Sequence, residues 1–399
     1  MSLIDLMDNA DVWQEFYLYK QQKGHLNKHD DEELAKIIEQ AVYRPIVKRI
    51  RDGEHFGYPT KHLINKLGTN KKRVVYCFAL QEMWVLKLLA FLLFAYDDHQ
   101  PRGCYSFRRD YGAHKAIRTI VCTPSINTMW CYKLDISDYF NSIQIPLLLP
   151  ILADVISDDP QLLGFLTTLL TADRAYINGV LTEEKRGVMA GTPTSPFLAN
   201  LYLREMDDFF IAQGLPYARY SDDIIVFANS IEEIDCCKAQ INELLKAHGL
   251  IINKKKEQLV SPGEKWDFLG VSYHSGTIDL SGSTKDKLKG KIRRKSRALH
   301  RWMLRKDAEP ERAMKALIRV FNRKFYEGGD ANDLTWSRWF FPLINSSDGL
   351  KEVDAYLQLY IRYVASGHFR HANYRVDYQT LKHMGYRSLV HEYYSSRKM

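Results

Sequence analysis

Two short apolar segments end at carboxylates, and they constrain the fold more than any other feature of the chain. WCYKLDISDYF, residues 130–140, reads as an apolar strand that stops at Asp135. YARYSDDIIVFA, residues 217–228, reads as two apolar runs around a polar Ser-Asp-Asp, the pattern of a β-hairpin with Asp222 and Asp223 near its turn. Both patterns set an acid at the edge of a sheet rather than on a solvated helix. If the strands are neighbours, three carboxylates converge. Like charges that close need a counter-charge, and a hard divalent cation with oxygen ligands supplies one. Two such ions can clamp an in-line phosphoryl displacement. A lone Asp-Asp is also an ordinary turn, so the surrounding chain has to decide between the two readings.

At 399 residues, with 46% apolar and 26% charged residues, the chain is long enough for two or three globular domains and unlike a disordered or fibrous polymer. The longest apolar run, Met83 to Tyr96, is interrupted by Lys87 and is too short to span a bilayer. The start, MSLIDLMDNADV, has no basic region leading into an apolar core, so no signal peptide is expected. Six scattered cysteines without a CxxC pair fit a reducing cytoplasm better than a disulfide or zinc framework. The formal net charge is +8, yet Lys285–Lys324 alone carries sixteen Lys/Arg against four Asp/Glu, so the remainder is net acidic. Such a segment suits a polyanion, most simply nucleic acid; a solvated helix face is the alternative.

Around the two acid-bearing segments the pattern alternates. Asp30 and Asp31 suit the cap of a helix through LAKIIEQAVYRPIVKRI, kinked or broken at Pro45. VVYCFAL reads as a strand, Met83–Tyr96 as a buried helix and 147–171 as helical. RGVMAGTPTSPF is a loop before a helix through FLANLYLREMDDFF, and EEIDCCKAQINELLKAHG is a helix stopping at Gly249. LIIN, EQLV, WDFLGVSYH and TIDL read as short strands, and from Thr284 on the chain is mostly helical.

In this order the motifs resemble those of bacterial reverse transcriptases, relatives of group II intron and retron enzymes. KLDISDYFNSI resembles motif A, GVMAGTPTSPFLANLYL motif B, YSDD motif C, GLIINKKKEQ motif D and WDFLG motif E. KKRVVYCFAL and CYSFRRDYGAHKAI look like fingers motifs. The resemblance covers roughly residues 40–280 at ordinary spacing. It implies an α+β, right-hand polymerase fold: an N-terminal helical extension (1–60), fingers (61–129), a palm (130–275, with insertions around 147–185), a basic helical thumb (276–345) and a helical tail (346–399).

The resemblance assigns roles by position. Asp135, Asp222 and Asp223, with the main-chain carbonyl of Ile136, match the ligands of two Mg²⁺ ions, for which Mn²⁺ can substitute. Phe140, five residues after Asp135, matches the aromatic gate that leaves no room for a 2′-hydroxyl. Lys71 (or its neighbour Lys72) and Arg73 fall where the family places cations on the incoming triphosphate, and Lys256 where a lysine is proposed to protonate pyrophosphate. Gly191 lies at the nucleotide, and Thr192, Pro193 and Ser195 along the primer–template path. The family's Pro-Gln before that glycine is Met189-Ala190 here, a departure that bears on nucleotide affinity, fidelity or substrate range and not on the metal chemistry. Trp266, Leu269 and Gly270 match the primer grip. Arg293, Arg294, Arg297 and Arg301 stand on the basic segment where a thumb tracks the nucleic-acid backbone.

By this reading the chain is an RNA-directed DNA polymerase acting on dNTPs, making a DNA strand on an RNA template, with no membrane partner. The retron Asn-Ala-x-x-His and Val-Thr-Gly signatures are absent, motif B ends in Ser195-Pro196 rather than Ser-Gln, and intron maturases usually carry a longer DNA-binding tail. What remains resembles compact enzymes of anti-phage defence that use a dedicated structured noncoding RNA, with an accessory protein or a second copy as further partners. The tail suggests neither RNase H nor a zinc nuclease. Two other readings stand: an inactive RNA-binding scaffold derived from a polymerase, and an enzyme making repetitive, weakly templated or protein-primed DNA.

Overall fold

The computed structural model describes residues 1–22, 26–65, 72–184, 186–327, 335–369 and 375–398. It divides into two compact units, Met1–Glu264 and Lys265–Met399. The strands in chain order are β1 (Thr60–Asn65), β2 (Lys72–Cys77), β3 (Trp130–Asp135), β4 (Arg174–Ile177), β5 (Val180–Glu183), β6 (Tyr217–Tyr220), β7 (Asp223–Ala228), β8 (Gln258–Val260), β9 (Trp266–Phe268), β10 (Val271–His274) and β11 (Thr277–Leu280).

The first unit begins with helices whose aromatic faces build one core. Trp13 stacks on Tyr43 at 4.6 Å between ring centroids, and Phe16 meets Phe91 at 5.6 Å. Asn27, rather than Asp30 or Asp31, caps the helix Lys28–Glu39 by accepting from the Asp30 N–H at 3.0 Å. The chain then turns at Ala41, whose φ is +49°, and restarts as Tyr43–Arg51. Pro45 lies in the first turn of that second helix, where its missing N–H costs nothing.

The sheet that matters has the order β6-β7-β3-β8, all antiparallel. β3 and β7 are its centre, and Ile224 through Ala228 are fully buried. The helix Ile231–Ala247 packs on these two strands. Ser230 caps it, and Gly249, at φ +65°, lets the chain leave just beyond its end. A second sheet, β2-β1-β4-β5, carries two features absent from the sequence reading: β1, and the β4–β5 hairpin. The hairpin's signal is legible in hindsight. Asn178-Gly179 is a two-residue turn with both φ angles positive, +51° and +83°, the strongest short-range mark of a hairpin.

Three boundaries differ from the sequence reading. The 147–171 helical stretch is two helices, Ile145–Val155 and Pro160–Thr171, because Asp159 caps the second with Pro160 at its first position. FLANLYLREMDDFF is broken at Leu203 into Ser195–Tyr202 and Arg204–Ala212. LIIN is not a strand; its Ile252 makes a single bridge to Ile136.

In the second unit WDFLGVSYH folds back on itself as β9 and β10 around Leu269-Gly270, with φ +47° and +89°. β11 completes that sheet. The helices Gly282–Lys306, Pro310–Tyr326 and Asp348–Ser366 then pack together through Leu288, Ile292, Leu317, Phe321, Val353 and Leu357. Among the described residues no helix is long and apolar enough to cross a membrane.

Candidate active site

The β6–β7 hairpin closes with a two-residue loop: Tyr220 pairs with Asp223, leaving Ser221 and Asp222 as the turn. A loop that short fixes the register of the strands it joins. β7 in turn pairs with β3 so that Asp223 lies directly opposite Asp135. The Ile136 N–H donates to the Asp222 carbonyl at 2.9 Å, so Ile136 stands between the two acid-bearing segments. The three carboxylates expected to converge therefore share one sheet edge.

Lys133 beside Asp223 and Lys256 on Asp135 offset only part of their charge. Burial first, then the Asp135 charge, raises the Asp222 carboxyl above its ordinary range. Burial pushes Asp223 up to about 6; Lys133 opposes this, while Asp135 and Asp222 add to it. Asp223 Oδ1 is buried without a hydrogen-bond partner, and Lys133 Nζ stands 3.7 Å away, beyond donor range. An orphaned, buried carboxylate oxygen beside two further acids is a donor set suited to a hard cation. Among the described residues no group of three or more His, Cys, Asp or Glu side chains is arranged to hold a metal ion by itself; a Mg²⁺ ion at this edge would draw the rest of its shell from waters and substrate phosphates.

Asp135 is held by residues of the loop before β8. Its main-chain carbonyl accepts from Asn253 N at 2.8 Å, and its Oδ1 from Asn253 Nδ2 at 3.2 Å. Its Oδ2 accepts from Lys256 Nζ. Burial works against the Lys256 charge, but the hydrogen bond to Asp135 and the charges of all three acids hold the ammonium above its ordinary range. Asn253 was absent from the sequence-derived site; its only signal was its place three residues before Lys256.

The loop after Arg186 closes one side. Val188 N donates to Phe140 O at 3.0 Å, and Ala190 N to Asn141 Oδ1 at 3.3 Å. Ala190 O accepts from Tyr76 N of β2 at 2.8 Å. Gly191, at φ +105°, uses its freedom here, because an added Cβ would meet Tyr76 O at 3.1 Å and Val75 Cβ at 3.3 Å. Thr192 and Ser195, expected along the primer–template path, lie below the surface. Their hydroxyls contact each other, and Ser195 Oγ donates to Met189 O at 2.9 Å, so they brace the loop. Pro193 is half-buried.

Tyr139 is buried with its hydroxyl donating to Ala199 O at 2.5 Å, which leaves its neighbour Phe140 as the half-exposed ring. Phe107 meets Phe140 edge-on at 6.4 Å. Arg73 on β2 is exposed, and its positive charge acts on Asp222. Lys71 lies outside the described residues. In the second unit Trp266 is buried and stacked on Tyr273 at 4.9 Å, while Leu269 and Gly270 form the β9–β10 turn. Arg293, Arg294, Arg297 and Arg301 are all exposed on the helix Gly282–Lys306.

The family model described as reverse transcriptase (RNA-dependent DNA polymerase) matches residues 64–273, just over half of the chain. The retron Ec86 reverse transcriptase of Escherichia coli is 24% identical over 177 residues, covering 43% of this chain and 50% of that protein. A putative enzymatic polyprotein of Cassava vein mosaic virus is 48% identical over 61 residues, 15% of this chain and 9% of the polyprotein. The chain thus spans half or less of the length of these relatives. Among solved structures, apo telomerase from Candida tropicalis superposes with a TM-score of 0.49 at 12% identity, over 83% of this chain and 60% of that one. The matched stretch runs from β1 to β10 and contains the whole carboxylate edge within an α+β fold: the chain belongs to the reverse transcriptase (RNA-dependent DNA polymerase) family.

Proposed function

We propose that the chain is an RNA-directed DNA polymerase that adds dNTPs on an RNA template. The observation that carries this is the register pairing Asp135 with Asp223, with Asp222 in the adjoining turn. Asp135, Asp222, Asp223 and the carbonyl of Ile136 would hold two divalent cations, Mg²⁺ or Mn²⁺ in its place. When bound, these would lower the pKa of the attacking primer hydroxyl and offset charge on the leaving oxygen.

The protein's own groups supply the rest. Lys256 carries its proton at Nζ well into alkaline pH, as a donor to departing pyrophosphate requires. Arg73 offers a fork for triphosphate oxygens. Phe140 presents a ring where a 2′-hydroxyl would fall. The Leu269-Gly270 turn suits a primer grip, and the exposed arginines at 293, 294, 297 and 301 suit phosphates of a template–product hybrid.

The finer reading is a cytoplasmic enzyme of bacterial anti-phage defence, templated by a dedicated structured noncoding RNA. The retron likeness and the compact basic helical unit support it. One observation favours the scaffold alternative: Ala190 stands where relatives have the motif B glutamine.

The test is to purify wild type and Asp222→Ala/Asp223→Ala from cells and sequence the bound nucleic acid before and after adding dNTPs and Mg²⁺. DNA extended along one defined RNA by wild type alone upholds the proposal. The same RNA bound by both proteins, with no DNA from either, favours the scaffold.

A further inference from the structure

Beneath the Ser221-Asp222 turn lies a buried polar assembly that the carboxylate edge does not use. Arg219 and Asp207 are both fully buried. Arg219 Nε donates to Asp207 Oδ1 at 2.8 Å and Oδ2 at 3.1 Å, and Nη2 donates to Oδ2 at 2.5 Å. Tyr217 Oη adds a bond to Oδ1 at 2.7 Å. Burial opposes the Arg219 charge, but the Asp207 carboxylate beside it holds the guanidinium well above its ordinary range.

The free faces of this fork reach the turn. Arg219 Nη1 donates to the Ser221 carbonyl at 3.3 Å, and Nη2 to the Asn200 carbonyl at 2.9 Å. The Ser221 N–H donates to Ser106 Oγ at 3.0 Å. That hydroxyl donates to Asn200 Oδ1 at 3.0 Å, while Asn200 Nδ2 donates to Ser106 O at 2.8 Å. Both backbone polar groups of Ser221 are therefore captured from below. The main chain of Arg219 is tied as well: its N–H donates to Gly103 O and its carbonyl accepts from Tyr105 N, each at 2.9 Å.

Ser221 has a φ of +60°, a conformation that favours glycine. A strained residue of that kind persists only where its surroundings over-determine it. A buried ion pair, in contrast, is a weak source of stability, since apolar residues of similar volume often do as well. What apolar residues could not do is grip the peptides on both sides of Ser221.

We propose that Arg219 and Asp207, with Ser106 and Asn200, are positioning residues that hold the two peptides flanking Ser221 so that the Asp222 carboxylate is presented to a divalent cation in one fixed direction. This rests on the polymerase reading. It adds that the aim of Asp222 is set by a hydrogen-bonded clamp spanning four segments: the 103–106 loop, the helices Ser195–Tyr202 and Arg204–Ala212, and the hairpin itself.

The experiment removes the clamp while keeping the core. Tyr217→Phe, Asp207→Leu and Arg219→Met together leave neither an unpaired buried charge nor an orphaned phenol. Ser106→Ala and Arg219→Lys are milder companions. Full-length proteins are compared by thermal melting, by Mn²⁺ binding measured from the free-ion spin resonance signal without nucleic acid, and by kcat and KM for dNTP.

The expected triple variant melts near wild type. Its kcat falls about 10²-fold, its Mn²⁺ affinity falls about tenfold and its KM for dNTP stays within about twofold. Ser106→Ala moves the same two quantities less, and Arg219→Lys, a point charge without the fork, restores them only in part. A folded triple variant with wild-type kcat and Mn²⁺ affinity overturns the proposal. So does a kcat loss that only follows the folded fraction. Should the triple variant not fold, Ser106→Ala and Arg219→Lys decide by the same readouts. If wild type binds Mn²⁺ but makes no DNA, the polymerase reading fails, and the Mn²⁺ comparison still judges the clamp.

Discussion

The carboxylate edge and the basic helix Gly282–Lys306 both present charge, but they are built in opposite ways. At the edge each acid has a fixed address: Asp135 opposite Asp223 by strand pairing, Asp222 in a two-residue turn. A one-residue slip would point the acids to the other face of the sheet. On the helix Arg293, Arg294, Arg297 and Arg301 are exposed, and any of them can meet a phosphate. The edge depends on geometry and the helix on charge density. Substitutions should therefore act all-or-none at the edge and additively on the helix.

The largest effect expected is at the edge. Asp222→Ala should lower kcat by at least about 10³-fold, the upper end of what one lost electrostatic contact costs a catalytic centre. RNA affinity should change less than about twofold, as read by steady-state extension and filter binding on the same preparation. A loss of RNA binding as large as the loss of kcat would break the comparison.

On the helix the outcome should be graded. Replacing Arg293, Arg294, Arg297 and Arg301 by Gln should make the dependence of log affinity on log salt shallower by roughly 3, from about 0.7 per phosphate contact on a single strand. Each single change should give about a quarter of that, and kcat at saturating template should hold. If one arginine carried nearly the whole effect, the helix would be a geometric site after all.

Phe140 tests the edge from the nucleotide's side. Phe140→Val should raise ribonucleotide incorporation relative to deoxyribonucleotide by up to about 10²-fold, the order of discrimination available against one added hydroxyl. Competition between dCTP and rCTP on a defined template measures it. Unchanged selectivity would make Phe140 a packing residue that happens to be half-exposed.

The same contrast explains what was legible in the sequence. Asp135, Asp222 and Asp223 could be read because apolar strands ending in acids leave few other interpretations, and the basic segment because charge density survives any folding. What escaped were residues whose roles exist only after the chain closes. Asn253 is an ordinary loop asparagine until it meets Asp135. Arg219 alternates between apolar neighbours like any strand residue, and nothing local ties it to Asp207 or Ser106. Thr192 and Ser195 were placed on the primer–template path by the motif B resemblance, and only the folded loop shows their hydroxyls turned onto each other and onto the Met189 carbonyl. The β4–β5 hairpin was missed although Asn178-Gly179 advertised it, because the helical pattern before it dominated that stretch.

The smallest effect concerns an acid that tempers the start of the basic helix. Glu352 on the helix Asp348–Ser366 accepts from Lys285 at 2.5 Å and also from Lys289. These hydrogen bonds, Lys285 first, hold its carboxyl below the usual range. Because the folded value is depressed, the stabilisation is present above the ordinary carboxylate range and is lost as pH falls through the lower folded value. Glu352 is more than a third exposed, so its contribution is screened and worth at most about 1 kcal/mol. Glu352→Gln should therefore barely move the melting temperature at neutral pH, and not at all once the pH is below the carboxylate range. It should, however, free Lys285 and Lys289 and steepen the salt dependence of RNA binding by up to about 1.4. A steeper slope with an unchanged melting point would show the pair tuning charge density rather than holding the fold. A lower melting point with an unchanged slope would show that these two lysines belong to packing, and that the cationic face begins farther along the helix.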